Sequence, residues 1–133
     1  MSTIEILKPT DIENEIRLAL KDYLTAYVRP LPKGFILPSV LITATGGNSA
    51  DTIDAFVVVL DARAETDEAA VDLINTAVGL LEAQAARQVG ALRSVNINSL
   101  ARWGNDPARP DLKLCTATLV VRAHREAVTI PTI

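Results

Sequence analysis

The sequence has few side chains that usually carry out chemistry. Its 133 residues include one cysteine, one histidine and one tryptophan, and aromatic residues make up 4% of the chain. One cysteine cannot form a disulfide within the chain, and the chain has no cluster of residues with metal-ligand spacing. The core therefore has to be built from Val, Ile, Leu and Ala. We expect no catalytic, cofactor-binding or metal-binding residues.

Long apolar runs and a targeting segment are also missing. The longest apolar stretch, residues 55–60, has the length of a strand and is far shorter than a membrane span. Residues 1–5 lack the basic and apolar regions of a signal peptide. We therefore expect a chain that is made in the cytoplasm and does not contact a membrane. Its length indicates a single domain over residues 1–133.

Charge is unevenly distributed. The net charge of −3 argues against a dedicated nucleic-acid-binding protein. Residues 1–82 hold 6 Lys/Arg and 13 Asp/Glu, whereas residues 83–133 hold 7 and 3. In a repeated assembly this asymmetry would give one acidic and one basic face. The mean hydropathy is +0.24. This positive value is explained either by an aliphatic core or by apolar surface that contacts a partner subunit.

The first part of the chain predicts a helix and a connector. Thr10 and Glu13 match a capping box, and apolar residues then recur at helical spacing. We expect this helix to end near Val28, because Pro30 disfavours helix in the residue before it. Residues 29–38 contain three prolines and predict a stiff, extended connector.

The remaining segments predict four strands and a second helix. Strands are expected at residues 39–45 and 53–64 around a turn at residues 46–51, and at residues 92–101 and 113–125 around a loop at residues 102–111. Between these pairs, Thr66 can cap a second helix that stops before Gly90. The tail from Glu126 is expected to be loose or to pack on a partner.

Together these segments predict an α+β fold in the order α-β-β-α-β-β. The expected architecture is a two-layer sandwich, with a four-stranded, mostly antiparallel sheet and both helices on one face. Residues 56–60 are apolar on both faces of their strand. This pattern is typical of a strand that is covered on both sides. We expect helices on one side and a neighbouring subunit on the other.

Several patterns that could carry chemistry also have simpler explanations. His124 could act as a base for Cys115 or Ser99, but nothing in the spacing supports this pairing. Residues 46–49 lack the lysine and the following helix of a phosphate-binding loop. Trp103 could stack on a nucleic-acid base, anchor its loop or contact a neighbour.

In order and length, these segments resemble the tail terminator proteins of long-tailed bacteriophages, also called tail completion or minor tail proteins. The resemblance covers most of residues 4–124 and depends on no single motif. The matching features are the helix start Ile-Glu-Asn-Glu-Ile-Arg-Leu-Ala-Leu, the Pro-rich passage into residues 35–40, the strand at 53–64, the Asp-Glu-Ala-Ala helix start at 67–70 and the strand at 119–121.

The resemblance implies a structural role in a phage particle and no enzyme activity. Proteins of this family form a ring, commonly a hexamer, which caps the head-proximal end of the tail tube, ends its polymerisation and joins it to the head. The implied partners are further copies of the chain, the tail tube protein and the head connector protein. Genome DNA passes through such a ring without sequence-specific binding. The implied location is the head–tail junction of a phage or prophage particle, assembled in the cytoplasm of a bacterial host.

The family fixes no interface residues, so we predict them from this sequence. The predicted interface residues lie in the connector (Arg29, Lys33, Phe35), the first hairpin loop (Asn48, Asp51) and the second hairpin loop (Arg102, Trp103, Arg109). Three alternatives stay open. They are a head–tail connector component of the same region, a small ligand-binding or regulatory α+β domain with a polar-lined pocket, and an enzyme that works through His124.

Overall fold

The computed structural model of the chain describes residues 2–50, 52–106 and 109–133. Within them, two helices and seven strands follow one another along the chain. They are β1 (Thr3–Lys8), α1 (Ile12–Leu20), β2 (Ala26–Val28), β3 (Ser39–Ala50), β4 (Ile53–Ala64), α2 (Asp67–Ala86), β5 (Leu92–Asp106), β6 (Arg109–His124) and β7 (Glu126–Pro131).

The strands form two separate sheets. The larger sheet has five strands in the order β2-β3-β4-β6-β5, and the smaller pairs β1 with β7. All pairs are antiparallel except β2 with β3, which is parallel. The predicted four-stranded sheet and the order α-β-β-α-β-β are therefore wrong. Three strands were missed, one at the edge of the large sheet and two near the ends of the chain.

The missed edge strand comes from the segment that was predicted to continue the first helix. Helix α1 ends at Leu20, not near Val28, and residues 26–28 pair with residues 40–42. Tyr and Val favour strands, and Pro30 favours extended backbone in the residue before it. Parallel strands need a crossover connection. The predicted connector, residues 29–38, provides it and contains no helix or strand.

The start of α1 also differs from the prediction. The N-cap is Asp11, whose carboxylate accepts a hydrogen bond from the Asn14 N–H at 3.3 Å. The capping box of Thr10 and Glu13 is therefore wrong. The Glu13 side chain instead reaches β3, where its Oε2 accepts the Ala44 N–H at 2.8 Å. For α2 the predicted N-cap is confirmed, since Thr66 accepts a hydrogen bond from the Ala69 N–H.

Both hairpins of the large sheet are longer than predicted. Most of the expected turn at 46–51 and of the expected loop at 102–111 is strand. Strand β3 continues past a bulge between Ala44 and Gly46. Gly46 has φ of +137°, and a Cβ on Gly47 would collide with the backbone of Ala55. These two glycines therefore allow the strand to bend and still pair closely with β4.

One face of the large sheet is covered by both helices. The side chains buried there are aliphatic and form a single cluster. Its largest fully buried members are Ile16 and Leu20 of α1, Ile74 and Leu81 of α2, and Ile42, Leu60, Leu92 and Leu119 of the sheet. In β6 every second side chain is buried on this face, since Cys115, Ala117, Leu119, Val121 and Ala123 are all buried.

Candidate interaction surfaces

The pair β1 and β7, which we call the ribbon, lies mostly in solvent. Eleven of its twelve residues are exposed, and Val128 is partly buried. No residue of the ribbon belongs to the buried core or is packed against it. A two-stranded ribbon without a third strand or a helix on it is at best marginally stable in water. The ribbon therefore lacks the cover that such a structure normally needs.

The two faces of the ribbon differ in composition. Cross-strand pairing places Ile4 opposite Ile130 and Ile6 opposite Val128, so all four side chains lie on one face, which we call the aliphatic face of the ribbon. The charged pair Lys8 and Glu126 lies on the same face at the base of the ribbon. The other face carries Thr3, Glu5, Leu7, Ala127, Thr129 and Pro131. Ile4 is 57% exposed and Ile130 is 42% exposed. The aliphatic face thus carries the larger apolar side chains and is exposed, although the exposed Leu7 lies on the other face.

The large sheet also has an uncovered face, which we call the open face. Within the described residues, the side chains that pack with the two helices all come from the other face. The open face carries apolar side chains that are only partly buried and do not join the core. They are Leu41 on β3, Val57 and Val59 on β4, and Leu114 and Val120 on β6.

Three of these side chains, Val57, Val59 and Val120, form an apolar stripe on β4 and β6, whereas Leu41 lies opposite Asp61 and Leu114 lies opposite Arg63. Val57 lies directly opposite Val120, and Val59 lies between Thr43 and Thr118. Polar groups border the stripe. Thr116 donates a hydrogen bond to Asp61 at 2.7 Å on one side, and the exposed Arg122 lies on the other. An apolar centre with a polar rim is the composition of a protein–protein interface.

A cleft of about 660 Å³ lies where the ribbon joins the domain. Its walls come from the start of α1, the β3–β4 hairpin and the segments next to the ribbon. The lining residues include Pro9, Ile12, Ala44, Gly47, Phe56 and Arg125. Since Pro9 follows β1 and Arg125 precedes β7, the cleft marks the base of the ribbon.

Four of the five charged side chains described in the cleft are paired with one another, and the fifth, Asp11, caps α1. Glu13 Oε2 accepts hydrogen bonds from Arg29 at 2.8 and 3.1 Å. The buried Asp54 accepts hydrogen bonds from Arg125 at 3.1–3.2 Å. Hydrogen bonds from Arg125 and then from Ser49 lower the pKa of Asp54 below its usual value. These pairs join α1 to the connector and the start of β7 to the sheet.

The structure separates the predicted interface residues. The tip of the β3–β4 hairpin lies at the end of the sheet where Ile53 pairs with His124. The tip of the β5–β6 hairpin lies at the opposite end, beyond the pairing of Ala64 with Lys113. The two predicted loops therefore cannot form one patch on a single subunit, but they can contact different partners.

Among the connector residues, Arg29 is held by Glu13 in the cleft, Lys33 is exposed and Phe35 is partly buried. The connector is fixed against β2, because the Tyr27 hydroxyl accepts the Ile36 N–H at 3.2 Å. Ile36 itself is 58% exposed. The connector is thus an ordered border of the sheet.

Of the hairpin residues, Asn48 lies within β3 and is exposed. Trp103 is 57% exposed and lies beside the first turns of α2, near Asp67 and Asp72. Arg109 pairs with Asp111 at 3.2 Å on the surface. Arg102 lies on β5 opposite Thr116, and its side chain is not among those described.

Asp51, the other predicted residue of the first hairpin, lies outside the described residues. Sequence reasoning missed the ribbon residues altogether. The available signal was the alternation Ile4-Glu5-Ile6 near one end of the chain and Val128-Thr129-Ile130 near the other. Each run is short, and neither identifies its partner.

The geometry does not support catalysis by the one histidine with the one cysteine. His124 and Cys115 are on opposite faces of β6, and Cys115 is fully buried in the core. Burial raises the pKa of the Cys115 thiol, which disfavours the thiolate that a nucleophile needs. Within the described part of the chain, no group of three His, Cys, Asp or Glu residues could hold a metal ion.

Neither α1 nor α2, the two helices in the described ranges, is long and apolar enough to cross a membrane. No protein-family model matches the chain, and a search of curated proteins finds no significant match. The functional conclusion therefore depends on the surfaces described above.

Proposed function

We propose that this chain is a virion structural protein of the tail-terminator type. In this proposal, copies of the chain form a ring on the head-proximal end of a phage tail tube. The ring ends polymerisation of the tube and joins it to the head connector. The observation that carries the proposal is the presence of two uncovered apolar β surfaces, the ribbon and the open face, on one small chain.

Two unlike apolar surfaces permit the heterologous contacts that a ring needs. In a cyclic assembly each subunit presents one surface to the next subunit and a different surface to the previous one. A chain with both an aliphatic ribbon and an aliphatic sheet face has two such surfaces. A single exposed patch would instead favour a dimer in which the same patch meets itself.

The opposite positions of the hairpin tips also support the proposal. A ring at a head–tail junction has to contact the tube on one side and the head connector on the other. The tips of the β3–β4 and β5–β6 hairpins lie at opposite ends of the sheet. One tip can therefore face the tube while the other faces the connector.

The charge of the chain is compatible with a channel for DNA. The net charge is −3, and tight binding to DNA depends on Lys and Arg side chains that neutralise phosphates. Genome DNA passing through a ring of such subunits would meet few groups that hold it. We expect no sequence-specific nucleic-acid binding.

The proposal is tested by polymerising a purified tail tube protein from the same phage or prophage with and without this chain. We expect annular particles of the purified chain in electron microscopy, and shorter tubes with a ring at one end when the chain is added. Tubes of unchanged length with bare ends, together with the absence of annular particles, would refute the proposal.

A head–tail connector component of the same region is the nearest alternative. It would also form rings, but it would bind the head connector and leave polymerisation of the tube unchanged. The tube assay therefore separates the two functions. Rings that pull down the connector protein and have no effect on tube length would favour the connector function.

The cleft favours a second, unrelated candidate, which is a small ligand-binding domain. Its volume of about 660 Å³ falls within the range of small-molecule sites. However, its charged groups Glu13, Arg29, Asp54 and Arg125 are engaged in ion pairs, so they are poorly placed to select a ligand. A specific thermal shift with one metabolite from a panel, lost in Phe56→Ala, would favour this candidate.

A further inference from the structure

We infer that the aliphatic face of the ribbon packs on the open face of the large sheet in a second copy of this chain. This inference deepens the proposed function, and it depends on the self-assembly that the proposal includes. In this contact the ribbon of one copy lies on the large sheet of the next copy. Ile4, Ile6, Val128 and Ile130 of one copy would lie over Val57, Val59 and Val120 of the next.

The two surfaces match in chemistry. Both consist of aliphatic side chains that strand pairing holds in a row, with Ile6 opposite Val128 on the ribbon and Val57 opposite Val120 on the sheet. Interior-facing side chains of two stacked sheets interdigitate when their strands are nearly aligned. The ribbon can therefore add a second β layer to the uncovered side of the sheet.

The two surfaces also match in size. A strand of six residues such as β1 is about 20 Å long, and strands in a sheet are about 5 Å apart. The apolar residues Val57, Val59 and Val120 lie on the neighbouring strands β4 and β6, so two strands give the stripe a width of about 5–10 Å. A two-stranded ribbon laid along this stripe covers most of it.

A second copy explains both surfaces at once, which a different partner would not. Each copy would donate one ribbon and receive one, so that every ribbon and every open face in a closed ring is covered. The ribbon itself is small compared with a standard interface of about 800 Å² per partner. Ring closure compensates for the small area of a single contact, because each subunit is held by two neighbours.

Disulfide trapping tests the inference. In the variant Ile6→Cys/Val59→Cys, oxidation should link neighbouring copies into a ladder of covalent multimers. The matched control is Glu5→Cys/Val59→Cys, in which the new ribbon thiol points away from the sheet. Cys115 can remain, because it is fully buried, and free thiols are blocked before the chains are unfolded for the gel.

We expect about tenfold more cross-linking in the Ile6 variant than in the Glu5 control, because a disulfide forms only when the two Cα atoms are within about 7 Å. Equal or absent cross-linking in a sample that light scattering shows to be oligomeric would overturn the inference and leave the proposed function standing. A ladder of covalent multimers from particles that are not annular and do not cap tail tubes would support the inference and overturn the proposed function. A monomer at every concentration would refute both.

Discussion

Ile4 lies directly opposite Ile130 across the ribbon, and both side chains are largely in solvent although they form a cross-strand pair. These residues lie near the two ends of the chain. Their pairing therefore brings both terminal segments together outside the domain. This pair of exposed isoleucines is a main reason for our proposal that another copy of the chain covers the ribbon.

Removing this pair should disrupt assembly without unfolding the domain. We predict that Ile4→Ser/Ile130→Ser weakens self-association at least tenfold, because each isoleucine would lose about 1.5–3 kcal/mol of apolar burial. The melting temperature of the dissociated subunit should hardly change, since neither residue belongs to the core. Light scattering and circular dichroism measure the two effects.

The matched control is Glu5→Ser/Thr129→Ser, which changes the pair on the opposite face of the ribbon. This variant should assemble as the original chain does. Equal loss of assembly in both variants would show that assembly does not depend specifically on the aliphatic face of the ribbon.

Adjacent residues on β4 provide a second test. Val59 lies on the open face, whereas Val58 is fully buried under the helices. We predict that Val59→Asp gives a folded chain that no longer assembles, because the carboxylate would be desolvated only in the oligomer. Val58→Asp should prevent folding, since an unpaired buried charge costs several kcal/mol.

Folding in this test is read from circular dichroism, and assembly is read from molar mass. A Val59→Asp variant that assembles normally would contradict the assignment of the open face as an interface. A folded Val58→Asp variant would contradict the orientation of β4 in the sheet.

Glu13 should contribute to stability through the β3 bulge. Its Oε2 accepts the Ala44 N–H and also pairs with Arg29. We predict that Glu13→Ala lowers the free energy of unfolding by about 1–3 kcal/mol, because the Ala44 N–H would lose its acceptor in a partly buried position. Chemical denaturation measures this loss.

Asp22→Asn is a suitable comparison for Glu13→Ala, because Asp22 is exposed in the turn after α1. It should change stability by less than about 0.5 kcal/mol. Equal effects of the two changes would show that the contact between Glu13 and the bulge is energetically unimportant.

The ion pair at the base of the ribbon predicts a dependence of stability on pH. Hydrogen bonds from Arg125 and Ser49 lower the pKa of Asp54 in the folded chain below the unfolded value of 3.8. Its stabilising contribution is therefore complete above the unfolded pKa and is lost as pH falls through the folded pKa. Asp54→Asn should destabilise the chain by about 1–3 kcal/mol at neutral pH.

The measurement is the difference in free energy of unfolding between the original chain and Asp54→Asn from pH 7 to pH 2. This difference should shrink as pH falls below 3.8. Arg109 also lowers the pKa of Asp111, but this pair is exposed, so Asp111→Asn should show a smaller change in the same direction across the same range, because solvent screens the pair. A difference for Asp54→Asn that is constant with pH would contradict the predicted role of the carboxylate.

Local sequence signals were sufficient for the elements at the centre of the fold. Strand β4 and the alternation in β6 follow directly from runs of apolar residues, and the start of α2 follows from Thr66 and the acidic residues after it. The apolar character of residues 56–60 on both sides predicted a strand that is covered on both sides. The helices cover one side, and cover of the other side by a neighbouring subunit stays a prediction. The particular residues on that face depend on strand register, which needs the structure.

The errors concern contacts between residues that are far apart in the chain. Strands β1 and β7 pair across more than a hundred residues, and nothing in either short segment identifies the other. Glu13 has the right spacing for a capping box, but an unpaired N–H at the β3 bulge competes successfully for its carboxylate. Tertiary contacts override local preferences in both cases, and they determine the candidate interface.

Sedimentation equilibrium of the full chain over a wide range of concentration tests self-assembly most directly. We expect one closed oligomer whose mass is a fixed multiple of the single chain and does not increase further with concentration, because each ribbon and each open face is then covered. A chain that stays monomeric at every concentration, with its ribbon and open face exposed to solvent, would contradict the central proposal.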